Sequence, residues 1–384
     1  MDVHSRLLAP IVAACGAASI LAAQFPAEGP APAPPDIDLA ICLDTSGSMD
    51  GLLESAKQRI WAIVNDLALA RPLPHLRVAL LTYGNDGHDP QRGWVVVDVP
   101  LTEDLDEISR QLFALTTNGG TELVGRVLKT ATDQLAWSDS PAALKLIVVA
   151  GNETADQDQE VPYRAAASAA IARGVLVNAI YCGSPADELA PGWHEIARLA
   201  DGQFATIDQA EGTVTIETPF DARLVELSAA VNRTYIPIGR AGGLGAANQV
   251  AQDRNASALN SEAAAARAIA KNGSLYFCAW DLLDGLKSRQ MRLEDVPERD
   301  LPMNMQVMRP GERAAYVRRM QDQRERIRRQ IEELTVQRQG FLDAERSKLG
   351  PAEDRALDRA LRRAIRAQAE ARGFRFAAPT ASGT

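Results

Sequence analysis

Histidine and cysteine are scarce in this 384-residue chain, and each scarcity excludes some chemistry. The four histidines, His4, His75, His88 and His194, stand apart. None forms H-E-x-x-H or lies at zinc spacing from a cysteine, so no histidine-ligated zinc centre is indicated. The four cysteines are Cys15, Cys42, Cys182 and Cys278. Cys15 lies in the apolar N-terminal segment, and the other three cannot complete a disulfide framework. A Cys182–Cys278 bridge stays open for an oxidising compartment. Cys42, inside IDLAICLD, reads as a small buried hydrophobe. No G-x-x-x-x-G-K-[ST] occurs, which removes ATP-driven work by a P-loop. Gly243 and Gly245 lack the strand–turn–helix setting of a dinucleotide site. Excess positive charge is also missing. The formal net charge is -9 and the isoelectric point is near 5.2, which argues against a nucleic-acid partner.

Long apolar runs are confined to the N-terminus. Arg6 precedes an apolar stretch from Leu7 to Ala23 that contains Pro10 and Gly16. This is short of the ~20 residues a spanning helix needs, and it reads as a secretory signal peptide over residues 1–23. The protein is therefore expected to be exported, to the periplasm or beyond the cell. Lipidation at Cys15 in V-A-A-C, or an uncleaved anchor, are the routes by which the N-terminus would hold it to a membrane. Residues 24–36 form a Pro/Ala linker with no core-forming residues.

From residue 37 to about 210, short apolar runs alternate with segments of helical period. IDLAICL, LRVALLTY, WVVVDVPL, LKLIVVA, VLVNAIYC and QFATI read as strands. Residues 52–69, 105–115, 123–135, 163–173 and 193–199 read as helices. Strands buried on both faces and interleaved with helices predict a doubly wound, mainly parallel α/β domain. Ligands of such sheets bind beyond the C-terminal strand ends. There the first strand runs into D-T-S-G-S, placing Asp44, Ser46 and Ser48 at alternate positions around Gly47. One carboxylate and two hydroxyls on a tight turn suit a hard cation, which takes oxygen ligands. The competing reading is a cap for the helix that follows. NGGTELVGRVL places Thr121 between two glycines and a helix, where it can bring a third hydroxyl to the same crevice or cap the helix.

Together, DLAICLDTSGSM, GGTEL and the apolar strand that follows resemble the von Willebrand factor type A domain. The resemblance implies a Rossmann-like fold with a metal-ion-dependent adhesion site. It implies that Asp44, Ser46, Ser48 and Thr121 hold a divalent ion, magnesium first, with manganese or calcium as alternatives. It further implies a coordination position left open for an acidic residue of a protein partner. One departure stands out. The family's further aspartate after the fourth core strand is absent, for Ala150 or Gly151 occupies its place in LKLIVVAGNE. Asn152 and Glu153 follow at once, and Glu153 is the candidate to restore the charge. The longer stretches VPYRAA, VNAIYCG, SLYFCAWDLLDG and RPGERAAYV resemble a group of secreted bacterial proteins that join such a domain to a helical C-terminal region.

Residues 211–305 read as a mixed helical region, with a glycine-rich break at AGGLGAAN. Residues 306–373 read as a long charged helical hairpin. Its first helix carries Val317, Met320, Arg324, Ile327, Ile331, Leu334, Arg338 and Phe341 at steps of 3 and 4, a coiled-coil-like seam holding two arginines. Residues 374–384 read as a disordered tail. The function expected is a metal-dependent, non-enzymatic protein-binding module. The alternatives are a structural adaptor that self-associates through residues 312–371 with a degenerate metal site, or an enzyme whose active site lies in residues 216–300 around Asp253 or Asp281.

Overall fold

The computed structural model describes residues 35–207, 215–349 and 357–376. Residues 1–23, read as a signal peptide and including Cys15, nearly all of the segment read as a linker and residues 377–384 lie outside the described residues.

The first strand explains why the sequence reads as an unbroken apolar run. Ile37, Leu39, Ile41 and Leu43 enter one core and Ala40 and Cys42 enter another, because both faces of the sheet are covered. In chain order the elements are β1 (Asp36–Asp44), α1 (Asp50–Leu67), β2 (Ala70–Arg71), β3 (His75–Tyr83), β4 (Val96–Thr102), α2 (Leu105–Ala114), α3 (Val124–Gln134), β5 (Leu144–Gly151), α4 (Tyr163–Ala172), β6 (Val175–Tyr181), α5 (Ala190–Leu199) and β7 (Phe204–Thr206). The sheet order is β4-β3-β1-β5-β6-β7. Only β4 runs antiparallel to its neighbour. Chain order reverses direction at β1, which has β3 on one side and β5 on the other. The crevice that such a reversal opens lies at the C-terminal end of β1, where D-T-S-G-S begins.

Seven further elements follow: α6 (Asp221–Asn232), α7 (Gly239–Leu259), α8 (Ser261–Asn272), α9 (Leu282–Lys287), α10 (Met303–Gln306), α11 (Pro310–Leu349) and α12 (Leu357–Ala371). The short β8 (Arg375–Phe376) then pairs antiparallel with β2. These helices pack directly on the sheet domain. Asn65 Nδ2 of α1 donates to the Ala266 carbonyl of α8 at 2.9 Å, and Ser109 Oγ of α2 donates to Gln252 Oε1 of α7 at 3.0 Å. Arg267 is 1% exposed, stacks 4.3 Å over the Trp61 ring, and pairs with Asp106 of α2 and Asp253 of α7. Lys271, equally buried, binds Asp253, Asn232 and Ser228. Asp253 is thus engaged by two buried cations. Asp281 binds Arg324, and its other carboxylate oxygen accepts from the Ile236 backbone N–H. Both acids proposed for an active site in residues 216–300 are held in ion pairs that join helices.

Three expectations are corrected, and one question left open by the sequence is answered. The glycine-rich stretch does not break the helix, because α7 runs through it. Its glycines serve close packing, since a Cβ at Gly242 would lie 2.8 Å from the Pro237 carbonyl carbon and one at Gly245 would lie 2.3 Å from the Trp280 ring. Residues 306–373 do not form a hairpin. The main packing partners of α11 are α6 and α8, whereas α12 packs on α1, β7 and β8. The reason is that Ile365 and Ala369 of α12 complete the apolar core on the α1 side of the sheet. Phe374 joins the same core and is 2% exposed, so the segment read as a tail begins with three ordered residues, 374–376. Cys182 and Cys278 are not bridged and lie in separate cores.

The seam of α11 is buried as its spacing predicts, but by this chain's own helices. Ile327, Ile331 and Leu334 pack with Leu224, Leu227 and Val231 of α6, and Val317 and Met320 pack with Leu282 and Leu283 of α9. Its two arginines are structural. Arg324 bonds Thr234, Asp281 and Asp284, and Arg338 donates to Asp221 Oδ1 at 2.8 Å.

Candidate metal centre

The turn after β1 is pinned to the neighbouring strand before any side chain of the site is considered. Thr45 donates to the Tyr83 carbonyl through both its N–H (2.8 Å) and its hydroxyl (2.9 Å). The Ser46 N–H donates to Asp44 Oδ1 at 2.8 Å, which orients that carboxylate. The Ser46 and Ser48 hydroxyls lie 3.2 Å apart. Asn152, just past β5, meets the Ser48 hydroxyl through its Nδ2 at 3.0 Å. The loop from α2 to α3 is stitched on from above. The Asn118 N–H donates to the Thr45 carbonyl at 3.0 Å, and the Gly47 N–H donates to the Gly119 carbonyl at 2.9 Å. Thr121 then forms a backbone bridge to Gly84. The four residues that the motif singled out, Asp44, Ser46, Ser48 and Thr121, therefore come from two loops held together at one strand end.

A fifth residue belongs here that the sequence reading passed over. Glu122 is 3% exposed and shares the neighbourhood of Gly84 with Asp44. A Cβ at position 84 would stand 2.7 Å from Asp44 Oδ1 and 3.0 Å from Glu122 Cγ. The Glu122 carboxyl lies within hydrogen-bonding reach of Asp44 and Ser46. An acid just ahead of a helix ordinarily reads as a favourable partner for the helix dipole, so nothing in the local sequence marks it as buried.

Asp44 Oδ2 and Glu122 Oε2 are both buried without a hydrogen-bond donor. Burial pushes the Asp44 carboxyl up to about 6, against the stabilising bonds from Ser46. Burial, and then the negative charge of Asp44, push Glu122 up to about 8. Two acids with orphaned oxygens, beside two serine hydroxyls and the Thr121 loop, form a hard, oxygen-only donor set suited to a divalent ion. Among the described residues, no group of three or more His, Cys, Asp or Glu side chains is arranged to hold an ion. A cation here would therefore depend on the hydroxyls as well as the acids.

The missing aspartate also has a structural reason. A Cβ at Gly151 would lie 2.4 Å from the Tyr83 hydroxyl, 2.9 Å from the Trp193 ring and 3.1 Å from Asp44 Oδ2. No side chain fits at that position. Glu153, the expected substitute, is exposed. Its carbonyl accepts from Trp193 Nε1 at 2.8 Å, and its carboxylate reaches Asp44 and Glu122 only as a nearby negative charge.

Residues 38–222 match the family model described as the von Willebrand factor type A domain. That stretch is a von Willebrand factor type A domain. Solved structures similar to this chain include proximal thread matrix protein 1 of the mussel byssus with a zinc-occupied MIDAS motif, at 17% identity and TM-score 0.38, covering 46% of this chain and 43% of that one. A von Willebrand factor type A structure from Catenulispora acidiphila has 19% identity and TM-score 0.36, covering 46% and 40%. The SpRpn10 VWA domain has 17% identity and TM-score 0.36, covering 45% and 88%. The chain thus spans less than half the length of the mussel and Catenulispora chains that it matches. No curated protein matches it. The helices from α7 onward lie beyond the matched residues, and α12 returns to complete the type A domain's core.

Proposed function

We propose that the protein is an exported binding module. In this reading a divalent cation, magnesium first, held at the type A site coordinates an acidic residue of a protein partner. The observation that carries the reading is the pair of buried, donor-less carboxylate oxygens of Asp44 and Glu122 beside the Ser46 and Ser48 hydroxyls. Burying two acids side by side is costly unless a positive charge compensates, and a hard cation supplies that charge. Asp44, Ser46, Ser48 and Thr121 would hold the ion. Glu153 lies outside this set and would act at its edge. Ser48 is exposed, so the ion would be reachable by a carboxylate from outside.

The adaptor reading has less support. The helical seam on which self-association was expected is filled by α6 and α9 of the same chain. The test is calorimetric titration of Mg2+ and Mn2+ into the full chain beside Ser46→Ala. Saturable one-to-one binding that Ser46→Ala weakens at least tenfold is the expected result. No binding by the unsubstituted protein overturns the reading.

A further inference from the structure

We propose that Glu122, not Glu153, is the carboxylate that replaces the missing aspartate as a ligand of the cation. This rests on the metal-binding reading above and deepens it. The argument begins at Gly151. The strand that should carry the acid has no room for a side chain there, because the Tyr83 hydroxyl and the Trp193 ring fill the space. The second negative charge must therefore come from another element. Two acids are near enough to act on Asp44, and they differ in kind. Glu153 is exposed and sits on a loop anchored through its own carbonyl. Glu122 is buried, and its backbone is fixed on both sides. Its N–H donates to Gln157 Oε1 at 3.0 Å, and its carbonyl accepts from the Val124 N–H at 3.1 Å.

Two further observations point from Glu122 to a ligand. Its Oε2 is buried with no donor, and so is Oδ2 of the neighbouring Asp44. Gly84, at φ +80°, lets the backbone pass close to both side chains, since a Cβ there would stand 2.7 Å from Asp44 Oδ1 and 3.0 Å from Glu122 Cγ. A buried carboxyl oxygen left without a hydrogen-bond partner is expensive, and Glu122 holds one beside another on Asp44. Placing Glu122 directly after Thr121 means that one loop delivers both a hydroxyl and an acid. The charge lost from β5 is thereby recovered from the α2–α3 connection.

The test is titration of Mn2+ into the full chain, its Glu122→Gln variant and its Glu153→Gln variant, with thermal melts of each protein with and without metal. Glu122→Gln is expected to weaken Mn2+ binding tenfold or more, while Glu153→Gln changes it less than threefold. Without metal, Glu122→Gln should melt close to the parent, because the amide keeps the size of the side chain and can still donate to Asp44. That measurement separates a lost ligand from a lost fold. The metal-induced rise in melting temperature should appear in the parent and in Glu153→Gln, and be absent in Glu122→Gln. Unchanged Mn2+ affinity in Glu122→Gln, or a larger loss in Glu153→Gln, overturns this assignment and leaves the metal-binding reading standing. No binding by the parent overturns both.

Discussion

Asn178 of β6 and Gln368 of α12 exchange two hydrogen bonds in the protein interior, Asn178 Nδ2 to Gln368 Oε1 at 2.9 Å and Gln368 Nε2 to Asn178 Oδ1 at 2.8 Å. Both side chains are less than a tenth exposed. The pair ties a helix far along the chain to β6, the strand next to the edge of the type A sheet. Beside it, Arg366 forms a two-pronged pair with Asp66 of α1. Gln368→Ala leaves both Asn178 groups short of one partner and is expected to destabilise the protein by ~1–3 kcal/mol. The urea midpoint of the full chain measures this. A shift no larger than that of an exposed Ala substitution would mean that α12 is not held by the pair.

Arg324 holds α11 to Thr234 and to the start of α9, and its loss should be more damaging. It is 4% exposed, lies 4.0 Å over the Tyr235 ring and binds Asp281 and Asp284. Arg324→Met keeps the bulk of the side chain but strands two buried acids, an expected cost of ~3–5 kcal/mol. Equilibrium denaturation followed by tryptophan fluorescence gives the magnitude. Combining Arg324→Met with Asp281→Asn and Asp284→Asn should recover part of the loss, because the stranded charges are then removed.

Restoring the family's aspartate should fail. Gly151→Asp places a side chain against the Tyr83 hydroxyl and the Trp193 ring. Overpacking of this kind costs ~1–3 kcal/mol, and a third carboxylate would be forced beside Asp44. Reduced thermal stability without tighter Mn2+ binding is expected. Tighter binding would show that the strand end can open to accept the residue.

At the opposite end of the sheet, His75 of β3 lies across from Asp36 of β1. It bonds Asp36 Oδ1 through Nδ1 (3.0 Å) and Glu103 Oε1 through Nε2 (2.9 Å). Burial alone would lower the imidazole pKa, but the two acids outweigh it and the pKa is raised above 6.5. A raised histidine contributes stability that is complete below its unfolded value, near 6.5, and that fades as pH rises through the folded value. The stability gap between the parent and His75→Gln should therefore be widest in mild acid and narrow at alkaline pH. NMR titration of the His75 ring should give a midpoint above 6.5. A midpoint below 6.5 would show that burial dominates.

Much of this architecture is legible from local pattern. IDLAICL and LKLIVVA mark strands covered on both sides because their apolar runs do not alternate, and the D-x-S-x-S turn marks the crevice because it follows such a strand. The seam of α11, Val317 through Phe341, is readable because helical period survives two arginines. What covers that seam is not readable. Leu224, Leu227 and Val231 reach Ile327 and Ile331 only through tertiary packing, so a seam that matches a coiled coil in sequence proves to be an internal helix. Glu122 escaped notice for a related reason. Its burial depends on Gly84 and on the stitching of the Thr45 turn to Asn118, contacts between segments far apart in sequence. Gly151 is the converse case. The sequence shows that an aspartate is absent, and only the positions of Tyr83 and Trp193 explain why.

The return of α12 to the sheet bears on the order in which the molecule is made. Ile365, Ala369 and Phe374 belong to the same apolar core as Ile37, Leu39 and Leu43. A growing chain would therefore present the whole type A domain, through residue 222, well before the groups that close that core are synthesised. Until then α8 covers α1 only in part, through Ala266 and Ala270, and the edge at Ala70 lacks its β8 partner. The core on the α1 side is thus completed only by residues 365–374, in the last described segment of the chain.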